Sequence, residues 1–332
     1  MLGIPNFADR LCSAIEGKKS IVCIGLDPQL RYMPTFLIEE AVKRHGCTFQ
    51  AVGWLYSTFN RLIIDATCDL AVCYKPNLAF YEIYGFHGLM AYEETIKYAK
   101  NMGALVIADG KRGDGGDTAD AYANGYLGNV PFFNYEDGKP TEIMEIVSPV
   151  QADCLTVNGY IGEDCISRFV KVIKENGHGI FVVTKTSFKP NSVVEQLTTL
   201  DGSRAWEKMA ENVQEWGKGT KGAYGLRNVG VVIGATYPDD AIRMRSILPN
   251  SIFLKPGFGG QGANAEESVL GIRPDGLGVI VNNSRNLTFA WQNAKGKYKC
   301  ESEKFDNAAR AQAKDDRDAL VHAARQAGCW PF

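Results

Sequence analysis

Eight short runs rich in β-branched residues recur along the chain, and polar or glycine-rich residues follow each of them. The runs are nearly continuous in apolar residues, which is typical of parallel strands that are covered on both faces. They occupy residues 20–28, 70–77, 104–112, 153–160, 179–187, 229–236, 251–259 and 277–285. Segments with helical spacing, such as FQAVGWLYSTFNRLIIDA, lie between them. Strands that alternate with helices predict βαβ units and a parallel sheet.

Eight βαβ units favour an α/β fold of the (β/α)8 or TIM-barrel type. The alternative is a doubly wound sheet, which usually carries G-x-G-x-x-G after its first strand, whereas this chain has GLDPQL. We expect a single domain over residues 1–332, with an N-terminal helix and a barrel core at about 20–290. A helical extension at about 296–332 should pack outside the barrel, with its alternating charges in solvent. Residues 132–149 do not fit the repeat, and they suggest a turn and a short helix inserted near the barrel mouth.

Bulk charge and cysteine usage exclude several classes of protein. The chain has 36 basic and 38 acidic residues, so its net charge of −2 gives no reason to expect nucleic acid or an anionic membrane as a partner. No apolar run reaches the roughly 18 residues of a membrane span, and the N-terminus lacks the pattern of a secretory signal. Nine cysteines without a C-x-x-C pair indicate reduced thiols in the cytoplasm. The four histidines show no ligand spacing, so no metal site is expected.

Charged residues stand at the ends of the first three predicted strands. Asp27 ends the first, Lys75 the second, and Asp109 and Lys111 the third. Catalytic groups of such barrels lie at the carboxyl ends of the strands. Asp109 and Lys111 are two residues apart, so a regular strand would point both side chains to the same side. Carboxylates and ammonium groups that meet there would satisfy one another and keep the lysines protonated.

A glycine cluster, GFGGQGA, follows the seventh predicted strand at residues 257–263. Glycines allow backbone N–H groups to approach an anion closely, and strands seven and eight carry the usual phosphate site of this fold. Arg285, after the eighth strand, could add a bidentate contact, and Gln261 could reach over the ligand. The pattern predicts a phosphate-binding site.

The stretch DGKRGD at residues 109–114 has the form D-x-K-x-x-D. With the other strand-end residues, it resembles the orotidine 5′-monophosphate decarboxylases, and most closely the longer branch of that family. The resemblance spans residues 20–290, approximately. The other matching positions are Asp27 in GLDP, Lys75 in CYKPN, Ser187 or its neighbour Thr186, Gln261 and Arg285.

The resemblance implies loss of CO₂ from orotidine 5′-monophosphate to give UMP in pyrimidine biosynthesis, without a cofactor or a metal. It implies that Lys111 stabilises and then protonates the carbanion at C6 of the pyrimidine. Asp109 would lie close to the substrate carboxylate. Repulsion between these two negative charges would favour the loss of CO₂. Lys75 and Asp114 would hold these two groups in place.

The resemblance also assigns the binding residues and the assembly. Asp27, Lys75 and Asn77 would contact ribose hydroxyls or order the charged network. Thr186 or Ser187 would contact the pyrimidine, and Gln261 and Arg285 would hold the phosphate. The implied homodimer completes each site with Asp114 and Thr118 of the neighbouring subunit. Members of the family commonly have Ile after the last Asp of the motif, whereas this chain has Gly115, which leaves one apolar contact across the dimer in question.

Three other functions remain open from the residues alone. A Mg²⁺-dependent sugar-phosphate decarboxylase or synthase would share D-x-K-x-x-D but needs added carboxylates, of which Glu82 is the nearest past strand two. A Schiff-base aldolase would use Lys75, Lys185 or Lys255 as its nucleophile. A non-catalytic barrel could bind a nucleotide phosphate as a sensor, although an intact D-x-K-x-x-D set argues against this.

Overall fold

The computed structural model describes residues 6–188, 192–260, 262–293 and 296–332. Eight parallel strands close into a barrel, and two further strands form a separate antiparallel hairpin. The strands are β1 (Val22–Leu26), β2 (Cys73–Pro76), β3 (Leu105–Arg112), β4 (Asn129–Glu136), β5 (Lys139–Val147), β6 (Cys154–Asn158), β7 (Gly179–Lys185), β8 (Arg227–Ile233), β9 (Ser251–Pro256) and β10 (Val279–Asn283). Around the barrel they follow the order β1-β10-β9-β8-β7-β6-β3-β2, so β10 pairs with β1 and closes the sheet.

Helices surround the barrel between successive strands. They are α1 (Phe7–Lys18), α2 (Thr35–His45), α3 (Phe49–Thr67), α4 (Ala79–Glu82), α5 (Gly85–Asn101), α6 (Gly116–Leu127), α7 (Glu163–Asn176), α8 (Val193–Gln196), α9 (Ala205–Trp216), α10 (Pro238–Ile247), α11 (Ala265–Val269), α12 (Arg285–Thr288) and α13 (Phe305–Gln326). Helix α7 illustrates why they form: one face is apolar and buried, acidic residues occupy its first turn, and Gly177 ends it at φ 69°. In the described ranges, every helix is too short or too polar to span a bilayer.

The predicted TIM barrel is confirmed, and each of the eight predicted runs overlaps one barrel strand. The strands were recognisable because both of their faces are buried, by side chains inside the barrel and by helices outside it. Helix α1 covers the amino-terminal ends of the strands, where Phe7 packs edge-on against Phe181 at 6.0 Å. The opposite end, at the carboxyl ends of the strands, therefore forms the mouth of the barrel.

The prediction for residues 132–149 is wrong on two points. This segment lies in the hairpin of β4 and β5, whose Asp137 and Gly138 adopt φ angles of 49° and 78° in a tight turn. Asp-Gly is the sequence preferred in such two-residue turns, and it outweighs the apolar spacing that suggested a helix. The hairpin follows α6 and precedes β6, so it lies at the amino-terminal ends of the strands, opposite the mouth. The carbonyl of Leu127 contacts His178 Nδ1 at 2.6 Å, just before β7 begins, which agrees with that position.

The predicted C-terminal helix is α13, which packs against α3, α11 and α12. Its first residue, Phe305, is buried, and its ring stacks on Phe59 of α3 with centroids 5.0 Å apart. Phe59 also stacks on Phe289, which follows α12, at 5.2 Å. One aromatic ring therefore joins three segments that are far apart in the chain.

We expect Phe59→Ala to lower the free energy of unfolding by about 3–5 kcal/mol, because it removes a buried ring and leaves a cavity among rigid neighbours. The matched control is Phe133→Ala in the hairpin, where the side chain is 58% exposed. The control should change stability by less than about 0.5 kcal/mol. Urea unfolding of both variants makes the comparison, and equal losses would contradict this account of the packing.

Candidate active site

A cavity of about 370 Å³ opens at the barrel mouth, and all eight barrel strands contribute residues to its wall or to the loops around it. Its polar lining includes Asp27, Lys75, Asn77, Asp109, Lys111, Thr156, Thr186, Ser187, Asn282, Asn283, Ser284 and Arg285. The structure therefore brings together the strand-end residues that the sequence singled out. Because parallel strands all end at the same edge, residues separated by more than 250 positions meet in one place.

Asp109 is the centre of the charged network. Its Oδ2 accepts a hydrogen bond from Lys75 Nζ at 2.5 Å, and its Oδ1 accepts one from Lys111 Nζ at 2.6 Å. A third donor, the hydroxyl of Thr156, reaches Oδ1 at 2.9 Å. Asp109 and Lys75 are buried, whereas the Lys111 side chain is 51% exposed and faces the cavity. One ammonium group is thus held inside the wall, and the other is presented to a ligand.

The network maintains its own charges. Burial alone would raise the pKa of Asp109, but the ammonium groups of Lys75 and Lys111 outweigh it and hold that pKa well below its usual range. Burial alone would lower the pKa of Lys75, and the carboxylates of Asp109 and Asp27 instead raise it above its ordinary value. Asp109 is therefore ionised and Lys75 protonated at neutral pH.

Lys111 reaches the cavity through an irregular backbone. Its φ angle is 45°, in the left-handed region that non-glycine residues seldom adopt, and the pairing of β3 with β6 shifts register between Ala108 and Arg112. The expected convergence of Asp109 and Lys111 is present, but a bulge produces it rather than regular strand pleating. Thr156 supports the bulge, because its hydroxyl oxygen accepts the backbone N–H of Lys111 at 3.0 Å.

Asp27 and Asn77 lie beside the network. Burial raises the pKa of Asp27, an effect partly offset by Lys75 and by a hydrogen bond from Ser284. Its Oδ1 is buried and has no hydrogen-bond partner among the described residues, so a ligand hydroxyl could donate to it. Asn77 follows β2 and forms an isolated bridge with Asp109, which places its side chain at the cavity wall.

The predicted anion site lies at the ends of β9 and β10. Gly257 and Gly259 have φ angles of 114° and 66°, and a Cβ on Gly259 would come within 2.9 Å of Asn286 Nδ2. Only glycine fits this tight approach of two segments. Arg285 is exposed at the cavity, and no residue in the described ranges pairs with its guanidinium group. Gln261 lies outside the described residues.

The loop after β7 brings Thr186 and Ser187 to the cavity. A short helix anchors this loop, because Glu195 of α8 accepts the backbone N–H of Thr186 at 3.0 Å and the ammonium group of Lys185 at 3.1 Å. Lys185 is fully buried, and its side chain does not line the cavity. Lys255 is also buried, and its Nζ donates to the carbonyls of Glu267 and Leu270.

Asp114 and Thr118 are not part of the cavity of their own chain. Both are exposed, and Asp114 Oδ1 accepts the N–H of Gly115 at 2.7 Å. Gly115 and Gly116 begin α6, and the N–H of Gly116 donates to Asp164 Oδ2 at 2.9 Å. A Cβ on Gly115 would come within 3.1 Å of that same carboxylate, so Asp164 occupies space that a larger residue would need.

The acidic residue Glu82 is directed elsewhere: its carboxylate binds Arg112 at 2.7 Å, outside the cavity. Across the part of the chain that the structure describes, no cluster of three or more histidine, cysteine or acidic residues is arranged to hold a metal ion. The charges of the cavity are instead arranged as the alternating carboxylates and ammonium groups already described.

Two residues with important contacts received no role from the sequence. Thr156 stands at the end of its strand, but nothing in the sequence revealed that one hydroxyl would serve both Asp109 and the Lys111 backbone. Asn283 of β10 lines the cavity and donates to Asp316 of α13 at 2.7 Å. Asp316 is buried, so the prediction that the charges of the tail lie in solvent is wrong at this position.

A closed parallel barrel with a charged network at the carboxyl ends of its strands defines the class of the protein, a TIM-barrel enzyme. Residues 20–276 match the model of the orotidine 5′-phosphate decarboxylase / HUMPS family. The chain belongs to this family.

Individual relatives agree with that assignment. An orotidine 5′-phosphate decarboxylase of Caldicellulosiruptor saccharolyticus is 36% identical over 87% of this chain and 91% of its own. One of Rhodopirellula baltica is 36% identical over 92% of this chain and 96% of its own. The structure of Leishmania donovani OMP decarboxylase superposes with a TM-score of 0.68 and 27% identity, covering 96% of this chain and 98% of that one. Leishmania donovani UMP synthase gives 0.69 and 28%, and the match covers 95% of this chain and 56% of that one.

We expect Asp109→Asn to lower the free energy of unfolding by about 3 kcal/mol at neutral pH, because Lys75 then loses its buried counter-ion. The folded-state pKa of Asp109 is depressed, so its contribution is present above the unfolded pKa of about 3.9 and is lost as the pH falls below it. The difference in free energy of unfolding between Asp109→Asn and wild type, measured by urea titration, should therefore become smaller from pH 7 to about pH 3. Asp318→Asn, at a 53% exposed side chain, is the control, and a gap independent of pH would contradict the assignment.

Proposed function

We propose that the protein decarboxylates orotidine 5′-monophosphate to UMP without a cofactor. One observation carries the proposal: Asp109 is held between Lys75 and Lys111 at one side of a cavity. The glycine loop after β9 and the guanidinium group of Arg285, which pairs with none of the described residues, border the same cavity and suit a phosphate. The names of the relatives point to the same reaction.

In the proposed reaction, the bond between C6 and the carboxylate carbon breaks, and its electron pair stays on C6 while CO₂ departs. No adjacent carbonyl can delocalise that charge, so the site must stabilise it electrostatically. The ammonium group of Lys111 faces the cavity and is already oriented by Asp109, so little reorganisation is needed when the charge develops. Lys111 then donates its proton to C6 to give UMP, and solvent reprotonates the lysine.

The remaining charged groups have positioning roles in this mechanism. Asp109 would lie against the substrate carboxylate, where like charges favour its departure. Lys75 keeps Asp109 ionised and fixes its orientation through the bond to Oδ2. The left-handed backbone at Lys111 aims the ammonium group inward, and Thr156 holds that backbone in place.

Binding residues divide between the two ends of the substrate. Asp27 and Asn77 would bind ribose hydroxyls, and Thr186 or Ser187 would contact the pyrimidine. Arg285, with Gln261, would bind the phosphate. Contacts far from the reacting carbon lower the barrier by closing the site around the substrate.

The proposed active form is a homodimer in which Asp114 and Thr118 complete the partner's site. Both residues are exposed and lie away from their own cavity. Exposed apolar residues follow the two strands that neighbour β3 in the barrel: Ile83 and Phe86 after β2 are 68% and 70% exposed, and Tyr160 after β6 is 81% exposed. Exposed apolar side chains at one end of a barrel suit a surface that a second subunit covers.

The alternative reactions fit the geometry less well. A Schiff-base mechanism needs a neutral lysine in the cavity, whereas Lys185 and Lys255 do not line it and Lys75 is held protonated. A Mg²⁺-dependent reaction would need an added carboxylate, and Glu82 instead binds Arg112.

We further propose a single-domain enzyme of the cytoplasm, since the nine cysteines are all free thiols.

Lys111→Ala should lower kcat for orotidine 5′-monophosphate by at least about 10⁴-fold, because the variant loses both the charge at C6 and the proton donor. Its affinity for UMP should stay within a few-fold of wild type. The decrease in ultraviolet absorbance of the substrate measures turnover, and Lys218→Ala, at a 66% exposed side chain, is the control. Full activity of Lys111→Ala would contradict the mechanism, and an inactive wild type would favour a nucleotide sensor.

Shared sites predict rescue between two inactive variants. When Lys111→Ala and Asp114→Ala subunits are unfolded together and refolded, half of the dimers should be mixed, and each mixed dimer has one intact site. About one quarter of wild-type activity should return. Lys111→Ala mixed with Lys75→Ala is the control, because both residues belong to the same subunit's site and no intact site can form. Equal activities in the two mixtures would contradict the shared site.

A further inference from the structure

Helix α13 places a buried carboxylate behind the phosphate end of the cavity. Asp316 is only 4% exposed although it lies in a polar helix. The helix packs against α11 and α12, which follow the glycine loop of β9 and the end of β10. The C-terminal helix therefore supports both segments that border the proposed phosphate site.

The contacts of Asp316 are specific. Its Oδ2 accepts a hydrogen bond from Asn283 Nδ2 at 2.7 Å, and its Oδ1 accepts one from Gln312 Nε2 at 2.8 Å. Among the residues that the structure describes, no ammonium or guanidinium group forms an ion pair with it. Burying a carboxylate without a cation costs free energy. The packing of α13 against the barrel does not require Asp316, because Phe305, Leu320 and several alanines already form a buried apolar face on the helix.

Asn283 connects this carboxylate to the cavity. Its side chain is 3% exposed, lines the cavity, and lies two residues before Arg285. An ionised carboxylate can only accept hydrogen bonds, so Asp316 fixes which end of the Asn283 amide faces it. One hydrogen of Nδ2 is then used, and the second remains for another acceptor. That nitrogen lies close to the glycine loop, 3.8 Å from the point that a Cβ atom on Gly259 would occupy.

We propose that Asp316 is a positioning residue for the phosphate subsite, acting by holding the Asn283 amide as an N–H donor toward the substrate phosphate. The inference rests on the proposed function of the cavity and extends it to the C-terminal helix. A negative charge on one side of an amide polarises its remaining N–H, which strengthens the bond to an anion on the other side. The same hydrogen bond fixes the backbone just before Arg285, and this limits the positions that the Arg285 guanidinium group can take.

Binding of UMP and of uridine tests the inference, because the two ligands differ only in the phosphate. Titrations of the full chain at about pH 8 keep the Asp316 carboxylate ionised, since burial raises its pKa to about 6. Asp316→Asn should weaken UMP binding about tenfold and leave the affinity for uridine within twofold of wild type. For orotidine 5′-monophosphate, the substitution should raise KM by a larger factor than it lowers kcat. The control is Asp315→Asn. The Asp315 side chain lies on the outer face of the same helix, is 43% exposed and pairs with Lys297, so this variant should bind both ligands as wild type does.

Unchanged UMP binding, or equal weakening of UMP and uridine, would overturn the inference, since a general structural defect does not distinguish the phosphate. Asn283→Ala provides a second test if Asp316→Asn does not fold, and it should show the same selective loss. If Asp316 acts through Asn283, the double variant should bind UMP no more weakly than Asn283→Ala alone, and additive losses would refute that route. Turnover of orotidine 5′-monophosphate by the wild type tests the proposed function separately, because the ligand titrations need no catalysis.

Discussion

The ion pair between Lys75 and Asp109 is the interaction on which the rest of the site depends. Each group is buried, and each opposes the change that burial would cause in the pKa of the other. Lys75 holds the carboxylate of Asp109 in the barrel wall, and Lys111 is oriented by its hydrogen bond to that carboxylate. The barrel brings the two groups together because β2 and β3 are adjacent parallel strands, so Lys75 reaches Asp109 without any loop. The preorganised ammonium group at the cavity follows from this one buried pair.

The parallel barrel also explains how distant segments share one cavity. The charged network comes from the ends of β1 to β3, whereas the glycine loop and Arg285 follow β9 and β10, and β10 pairs with β1. The charged network and the proposed phosphate site therefore lie on neighbouring strands although they are far apart in the chain. The C-terminal helix extends this arrangement, since α13 packs under α11 and α12 and reaches β10 through Asp316.

Much of this arrangement was predictable from the sequence, for identifiable physical reasons. Buried parallel strands need continuous apolar runs, and the residues that end them must face the mouth, so Asp27, Lys75 and Asp109 could be placed without coordinates. The bulge at Lys111 could not be placed, because a left-handed lysine leaves no compositional signal. The second strand of the β4–β5 hairpin was predicted as a short helix after a turn, although the Asp-Gly sequence of that turn favours a hairpin. Asp316 was unpredictable, since one buried acid among many exposed charges is defined only by tertiary packing.

The backbone at Lys111 has a consequence for how the protein could change over time. A φ angle of 45° suits glycine, and holding a lysine there costs roughly 1–3 kcal/mol. Replacement by glycine would relieve that strain, but it would also remove the ammonium group that pairs with the buried carboxylate of Asp109. The backbone at this position therefore favours glycine, whereas the charged network favours lysine. A search for stabilising substitutions that considered only backbone angles would select glycine here and would dismantle the network at the same time.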